Sequence, residues 1–236
     1  MNKDWLGRVA PMDTKHIEKY PFGVRATFAA NIEKVISRPR ASQYNQKQTP
    51  RCVGYSTSKV MNWFNKMGYD ADWLYKECKK IDGDPNGDGT NANAACQVLR
   101  NKGHWQTVAG IDVPTGPKLK HGIAAYHWAT SVDQIRTVFS TALPQPVLLG
   151  INWYEAWFNP LQRNGEYWLQ TIPNAGGIAG GHEIGIWACS DTRQAFGFSN
   201  TWGSGWPSLV WVPYFTVDKL LADGGDACII TDLASR

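Results

Sequence analysis

The sequence predicts an α+β fold of two lobes in one domain spanning 1–236, helical mainly over residues 40–125 and antiparallel β mainly over 126–236. Two observations carry this. Apolar residues at helical spacing dominate the first half, and short β-branched and aromatic runs dominate the second. Helices first and strands after imply segregated layers rather than alternating βαβ units. No internal repeat or low-complexity linker divides the chain. With 236 residues, 43% hydrophobic and 19% charged, it can bury a sizeable core.

Residues 1–45 read as mostly irregular, with one helix over Phe28–Ile36. From Cys52 to Met67 the apolar residues Val53, Val60, Met61 and Phe64 fall near helical spacing, and Gly68 offers a left-handed cap. Short helices follow over about 72–80 and 91–101, the latter stopping before Gly103. Ser131 is placed to cap a fourth that runs to Thr141. Strands are expected at 146–153, 182–189, 195–202, 209–212 and 227–231. The 12 tryptophans are expected to fill the core, with some lining a groove.

Composition excludes several function classes. A net charge of +4, with no basic run interleaved with aromatics, argues against nucleic acid. No apolar stretch approaches the ~20 residues of a membrane helix, so no membrane partner is expected. The start, MNKDWLGRVAPMDTK, lacks the apolar segment of a signal peptide. The five cysteines, Cys52, Cys78, Cys96, Cys189 and Cys228, are odd in number and unpaired in spacing, which suggests a reducing cytoplasm. No Cys-x-x-Cys occurs and the histidines are scattered, so neither metal nor cofactor is expected. Asp82, Asp84, Asn86 and Asp88 alternate around Gly87 as in a calcium loop. The twelfth position is Asn93 rather than the bidentate Glu such loops need, and a turn-rich loop is expected instead.

Cys52 sits where the chain turns helical, two residues after Pro50. Unpaired N–H groups at a helix start favour a thiolate over the free thiol of pKa ~8.5. Gln46, six residues earlier, can fold back so that its amide joins the Cys52 N–H as an oxyanion hole; Gln43 and Gln48 are alternatives. His182 opens one strand and Asn200 closes another. If Ser190-Asp191-Thr192 is the bend, Cys189 pairs with Arg193, Ile186 with Phe196, Ile184 with Phe198 and His182 with Asn200. Asn200 can then take one imidazole proton, leaving the other nitrogen for a thiol. Trp202 shares this parity and can shield the pair. Gly180 and Gly181 allow backbone to come close.

These blocks resemble the papain family of cysteine peptidases, in the short form seen in bacteria and phages. They are Q-x-x-x-x-x-C at Gln46–Cys52, G-G-H at Gly180–His182 and N-T-W-G-S-G-W at Asn200–Trp206, in the family's order of Cys, His, Asn. The resemblance spans about Gln46 to Pro213. It implies a papain-like two-lobe fold and peptide-bond hydrolysis through a thioester at Cys52, with His182 as base and acid, Asn200 as orienter and Gln46 as oxyanion donor. It implies a polypeptide substrate held along Asp88-Gly89. Glu183 would wall the pocket for the substrate's second residue, where its carboxylate could favour a basic side chain. Thr49-Pro50-Arg51 replaces the family's Cys-Gly-Ser, so the nearby disulfide cannot form, and Val53 replaces its tryptophan. Arg51 could favour the thiolate or shape the rim. A cell-wall amidase or transpeptidase, or a peptide-binding protein with little turnover, are the alternatives. A phage-encoded or virion-associated setting fits the short form; oligomeric state is left open. Only 45 residues precede Gln46, too few for the family's helical prosegment, so an open cleft is expected, with Met1–Tyr20 as the one candidate for a short plug.

Overall fold

The computed structural model describes residues 3–10, 15–19, 21–23, 31–39, 44–107 and 120–232. Six helices appear among them: α1 Lys15–Lys19, α2 Cys52–Asn65, α3 Ala71–Lys79, α4 Ala92–Lys102, α5 Val132–Ser140 and α6 Tyr214–Ala222. The strands are β1 Glu33–Val35, β2 Gly68–Tyr69, β3 His104–Thr107, β4 Lys120–His121, β5 Ile123–Ala129, β6 Val147–Tyr154, β7 Leu161–Arg163, β8 Glu166–Trp168, β9 Ile178–Ser190, β10 Ala195–Ser199, β11 Val210–Pro213 and β12 Asp226–Asp232.

Helices α3–α5 start where the sequence supplies an oxygen for their unpaired amides. Asp70 accepts from the Trp73 N–H at 2.8 Å to open α3, and Asn91 from the Ala94 N–H at 2.9 Å to open α4. Ser131 does the same for α5. α2 lacks such a side-chain cap. It is buried continuously from Cys52 to Asn62, packed against α3, α4 and β9. It ends at Asn65, because Lys66 takes the left-handed conformation at φ 56° and returns its N–H to Asn62. Gly68, expected as that cap, instead begins β2.

One nine-stranded sheet runs β5-β12-β6-β9-β10-β11-β8-β7, with β1 added on β9. All its pairings are antiparallel except β11–β8. A small sheet, β2-β3-β4, lies beside the helices. β9 is the spine of the large sheet: it pairs with β6, β10 and β1, and every residue from His182 to Ser190 is buried. Such a strand reads as a continuous apolar run because both faces are covered. Trp128, Trp153, Trp157 and Trp187 are among the largest fully buried side chains, so these tryptophans build the core.

Two expectations change. Within Phe28–Ile36, residues 28–30 lie outside the described residues, and Glu33–Val35 form a strand, not a helix. The β9 edge takes them up at Ala188–Ser190, a pairing no local periodicity announces. The β9–β10 turn spans four residues, 191–194, with Gln194 at φ 49°. Ser190 therefore pairs with Ala195, and after a bulge at Gly197/Phe198 Ile186 pairs with Phe198. His182 and Asn200 are not direct Cα partners; the bulge restores their parity, and their side chains still meet.

Candidate functional site

Cys52 is the first residue of α2 and is fully buried. The Glu183 N–H donates to its sulfur at 3.4 Å, and the backbone amides of Gly7 and Val53 lie near enough to favour the thiolate. Two come from outside the helix, one from the strand carrying His182. Burial nonetheless pushes the thiol up to about 12, and the neighbouring Glu183 carboxyl adds to that. The helix start was expected to lower this value; in a site this covered, desolvation outweighs the nearby amides. Arg51 is committed to Asp72, 2.7 Å away, and lies over the Tyr75 ring.

His182 Nε2 and Asn200 Oδ1 are 2.9 Å apart. Asn200 Oδ1 also accepts from the Thr201 N–H at 2.8 Å, which fixes the amide's orientation. The other imidazole nitrogen, Nδ1, is buried without a hydrogen-bond partner. Trp202 and Trp153 close over the ring at 4.8 Å centroid distance each. Burial holds the imidazole down at about 4 against the Asn200 hydrogen bond.

Gln46 is buried. Its Oε1 accepts from the Thr201 hydroxyl at 2.6 Å, and its backbone N–H donates to Thr201 O. Its Nε2 donates to the carbonyls of Thr49 and Trp5, at 2.8 and 2.9 Å. Gln48 is exposed and Gln43 lies outside the described residues.

The Trp5 carbonyl belongs to a strap, residues Trp5–Val9, that crosses the cleft. The Gly7 amide lies near the Cys52 sulfur, and Gly7 O accepts from the Thr90 N–H at 2.8 Å. Arg8 N–H donates to Gly181 O at 3.0 Å, and Val9 N–H to Thr90 O at 2.8 Å. The approach is so close that a Cβ on Gly89 would sit 2.1 Å from Gly7 O, and one on Gly181 2.0 Å from Arg8 O. Leu6 covers Gly180, and Trp5 packs on Trp202 at 5.2 Å. The open cleft expected from the sequence is thus replaced by a closed one, because a short extended segment suffices to fill it. Of the Met1–Tyr20 stretch, residues 1–2, 11–14 and 20 lie outside the described residues.

The structure brings Cys52, His182, Asn200, Gln46, Gly89, Gly180, Gly181, Glu183 and Trp202 to this cleft. Asp88 is exposed, and the backbone bonds to the strap come from Thr90 instead. In the acidic loop, Asp82 pairs with Lys79 at 2.8 Å and Asp84 accepts from the Gly87 N–H. Among the described residues no group of three or more His, Cys, Asp or Glu is arranged to hold a metal. Three contributors escaped the sequence reading. Lys59 is buried and donates to Asn200 O and Ser199 Oγ; a lysine inside an apolar helix was the available signal. Arg8 and Asp226 form a buried ion pair at 2.7 Å between the two ends of the chain, for which the sequence holds no signal.

No protein-family model matches the sequence, and no curated protein matches it. Solved structures do. Xylellain, a cysteine protease from Xylella fastidiosa, superposes with TM-score 0.73 at 16% identity over 98% of this chain and 97% of that one. ProCathepsin B S9 from Trypanosoma congolense gives 0.67 at 14% over 98% and 87%. Procathepsin L2 from the Tenebrio molitor larval midgut gives 0.65 at 13% over 98% and 80%.

Proposed function

Because the chain has the fold of papain-family cysteine proteases, we propose that it is a cysteine peptidase, made in a latent form. One observation carries the reading. An imidazole held by an amide oxygen at one nitrogen, and free at the other, sits on the strand whose next N–H touches the Cys52 sulfur. That is the arrangement a thiol nucleophile and its base require.

In the reaction, the strap leaves and water reaches the pair. His182 Nδ1 takes the thiol proton, and the Cys52 thiolate attacks a peptide carbonyl carbon of a polypeptide. The oxyanion is held by Gln46 Nε2 and the Cys52 N–H; Trp5 O lies on the Gln46 donor in the strapped form. Imidazolium His182 passes its proton to the leaving amine as the C–N bond breaks. Water, deprotonated by His182, then attacks the thioester, releasing the acid and the thiol. Asn200 holds the ring through Nε2, which leaves Nδ1 to serve the thiol throughout.

Latency follows from what the strap presents to Cys52. The Gly7 amide lies beside the sulfur, and the strap takes up the Thr90, Gly181 and Gln46 groups that an extended substrate would use. With thiol pushed up and imidazole pushed down, the strapped pair is neutral and unreactive. The test is turnover of a quenched-fluorescent peptide library before and after displacement of the strap, with Cys52→Ala as control. No turnover in either state would reject the peptidase reading.

A further inference from the structure

Cys96 and Cys228, 132 positions apart in the sequence, bring their sulfurs to 3.3 Å in the core. Cys96 lies on α4 and Cys228 on β12, and both are fully buried thiols. The other cysteines are placed differently. Cys52 belongs to the proposed catalytic pair, and Cys189 meets the Tyr214 hydroxyl at 3.1 Å. Cys78, on α3, lies near enough to Cys96 for a charge on one to disfavour a charge on the other, but the sulfur contact is made by Cys228. Each of the two joined segments also holds one side of the strap. Just ahead of α4, Thr90 donates its N–H to Gly7 O and accepts from the Val9 N–H, both at 2.8 Å. At the start of β12, Asp226 takes the Arg8 guanidinium at 2.7 Å. Asp226 and Cys228 alternate along one regular stretch of strand, so their side chains share a face, and α4 reaches that face at Cys228.

We propose that Cys96 and Cys228 are a disulfide site, and that the bond, once formed, clamps the two anchors of the strap together. The bond itself is independent of the peptidase reading; its bearing on latency rests on that reading. The strap leaves when the Thr90 and Asp226 segments part or turn away from it. A covalent link between α4 and β12 removes that separation and so favours the closed state. Bonded sulfurs stand about 2.0 Å apart, so little more than an ångström has to close. The oxidant is a low-molecular-weight disulfide such as oxidised glutathione. One cysteine, as thiolate, attacks a glutathione sulfur; a mixed disulfide forms, the glutathione S–S bond breaks and one glutathione thiolate leaves. The second cysteine thiolate attacks the protein-side sulfur of the mixed disulfide, closing Cys96–Cys228 and releasing the second glutathione. The protein loses two electrons and two protons, and the two glutathiones gain them. Burial, with Cys96 adding to it, pushes the Cys228 thiol well above its usual range, so the exchange does not run in the closed core. It runs while β12 is off α4, and closure then shields the bond from reductant.

The experiment uses the full chain with Cys52→Ala, so that the catalytic thiol takes no part. It is refolded from urea in a buffer of oxidised and reduced glutathione and, in parallel, in reduced glutathione alone, then digested without reduction and mapped by mass. The expected oxidised product has lost two hydrogens and joins the Cys96 peptide to the Cys228 peptide, with Cys78 and Cys189 still thiols. The strap is read by amide exchange. The Arg8 and Val9 amides, bonded to Gly181 O and Thr90 O, are expected to exchange roughly tenfold more slowly in the oxidised chain. The Ile36 amide, bonded to Trp187 O, is expected to be unchanged, which tells a clamp from a general stiffening. Cys228→Ala should exchange alike in both buffers; if it fails to fold, Cys96→Ala replaces it, and the comparison of two redox states of one chain stands without either. A Cys78–Cys96 link, or no link, overturns the site. A Cys96–Cys228 link with no change at Arg8 and Val9, or with equal slowing at Ile36, overturns the clamp. Neither readout uses turnover, so a missing disulfide leaves the peptidase reading standing, and a chain that cleaves nothing after its strap is displaced leaves the disulfide standing.

Discussion

Lys59 reaches from the second turn of α2 to the backbone carbonyl of Asn200, donating to it at 2.9 Å and to Ser199 Oγ at 2.8 Å. The helix that begins with Cys52 thereby also holds the residue that turns His182. Burial lowers the ammonium to about 7, with Arg38 adding to the effect. Lys59→Met removes the tie without touching the cleft. It is expected to lower kcat roughly tenfold with KM little changed, since the loss falls on orientation in the transition state rather than on substrate binding. Steady-state kinetics on a displaced-strap background check this; a rise in KM alone would contradict it.

Gly7 has no room for a side chain: a Cβ would lie 2.0 Å from Pro50 O. Gly7→Ala should therefore unseat the strap and expose the thiol. Iodoacetamide labelling of Cys52 is expected to accelerate at least tenfold over the unmodified chain, roughly the effect of ~1.4 kcal/mol lost from the closed state. The other four cysteines, all buried, should label slowly in both. Equal labelling of all five would remove Cys52 from its role. Cys52→Ala should abolish turnover while leaving the fold unchanged by circular dichroism.

Gln46 spends both amide hydrogens, on Trp5 O and Thr49 O. In the Gly7→Ala background, Gln46→Ala should cost roughly 10²–10³-fold in kcat, the usual loss for one oxyanion donor. Gln48→Ala should cost nothing, because Gln48 is exposed. The reverse result would move the oxyanion donor. Asn200→Ala should slow turnover less than His182→Ala, since a poorly oriented base still finds the thiol part of the time.

His104 is buried between Ser58 Oγ, 2.7 Å from Nε2, and the stacked ring of Tyr69. Burial pushes it down to about 3, with His121 adding to the effect. The unfolded imidazole takes a proton below about 6.5 while the folded one refuses it. The contribution is thus complete above pH 6.5 and is lost as pH falls toward 3, by about 2 kcal/mol at pH 5. Urea midpoints at pH 7 and 5 should show this loss on top of that from His182, which burial holds down likewise, and His104→Gln should remove the His104 share. An identical pH slope in both proteins would assign the loss to other groups.

Much of the architecture was legible because it rests on local signals. Asp70, Asn91 and Ser131 mark helix starts by chemistry that works within four residues. The β6, β9, β11 and β12 runs announce themselves by composition. The hairpin register was not legible, since it depends on a four-residue turn held by Asp191 and Gln194 and on a bulge, and neither alters the apolar pattern. β7 and β8 are three residues each and too exposed or short to show a period. The candidate site divides the same way. Cys52 opens α2 and Asn200 follows β10, boundaries that can be read from sequence, whereas His182, expected to open its strand, lies inside β9, which begins four residues earlier at Ile178. The strap is held by contacts between residues 41 to 218 positions apart, beyond any local window.

The position of β12 has a consequence in time. This last strand is not an edge: it is inserted between β5 and β6, and its first residue, Asp226, is the anchor for Arg8. Synthesis at ~5–20 residues per second delivers Asp226 roughly 10–40 s after Arg8 has emerged. Cys52, His182 and Asn200 are all made before it. Until β12 is in its gap, β5 is cut off from the rest of the sheet and Arg8 lacks its carboxylate partner. The Arg8–Asp226 lock is therefore the last of the strap's contacts to become available, after Gln46, Thr90 and Gly181, and a ribosome-bound chain stalled before Asp226 would lack it.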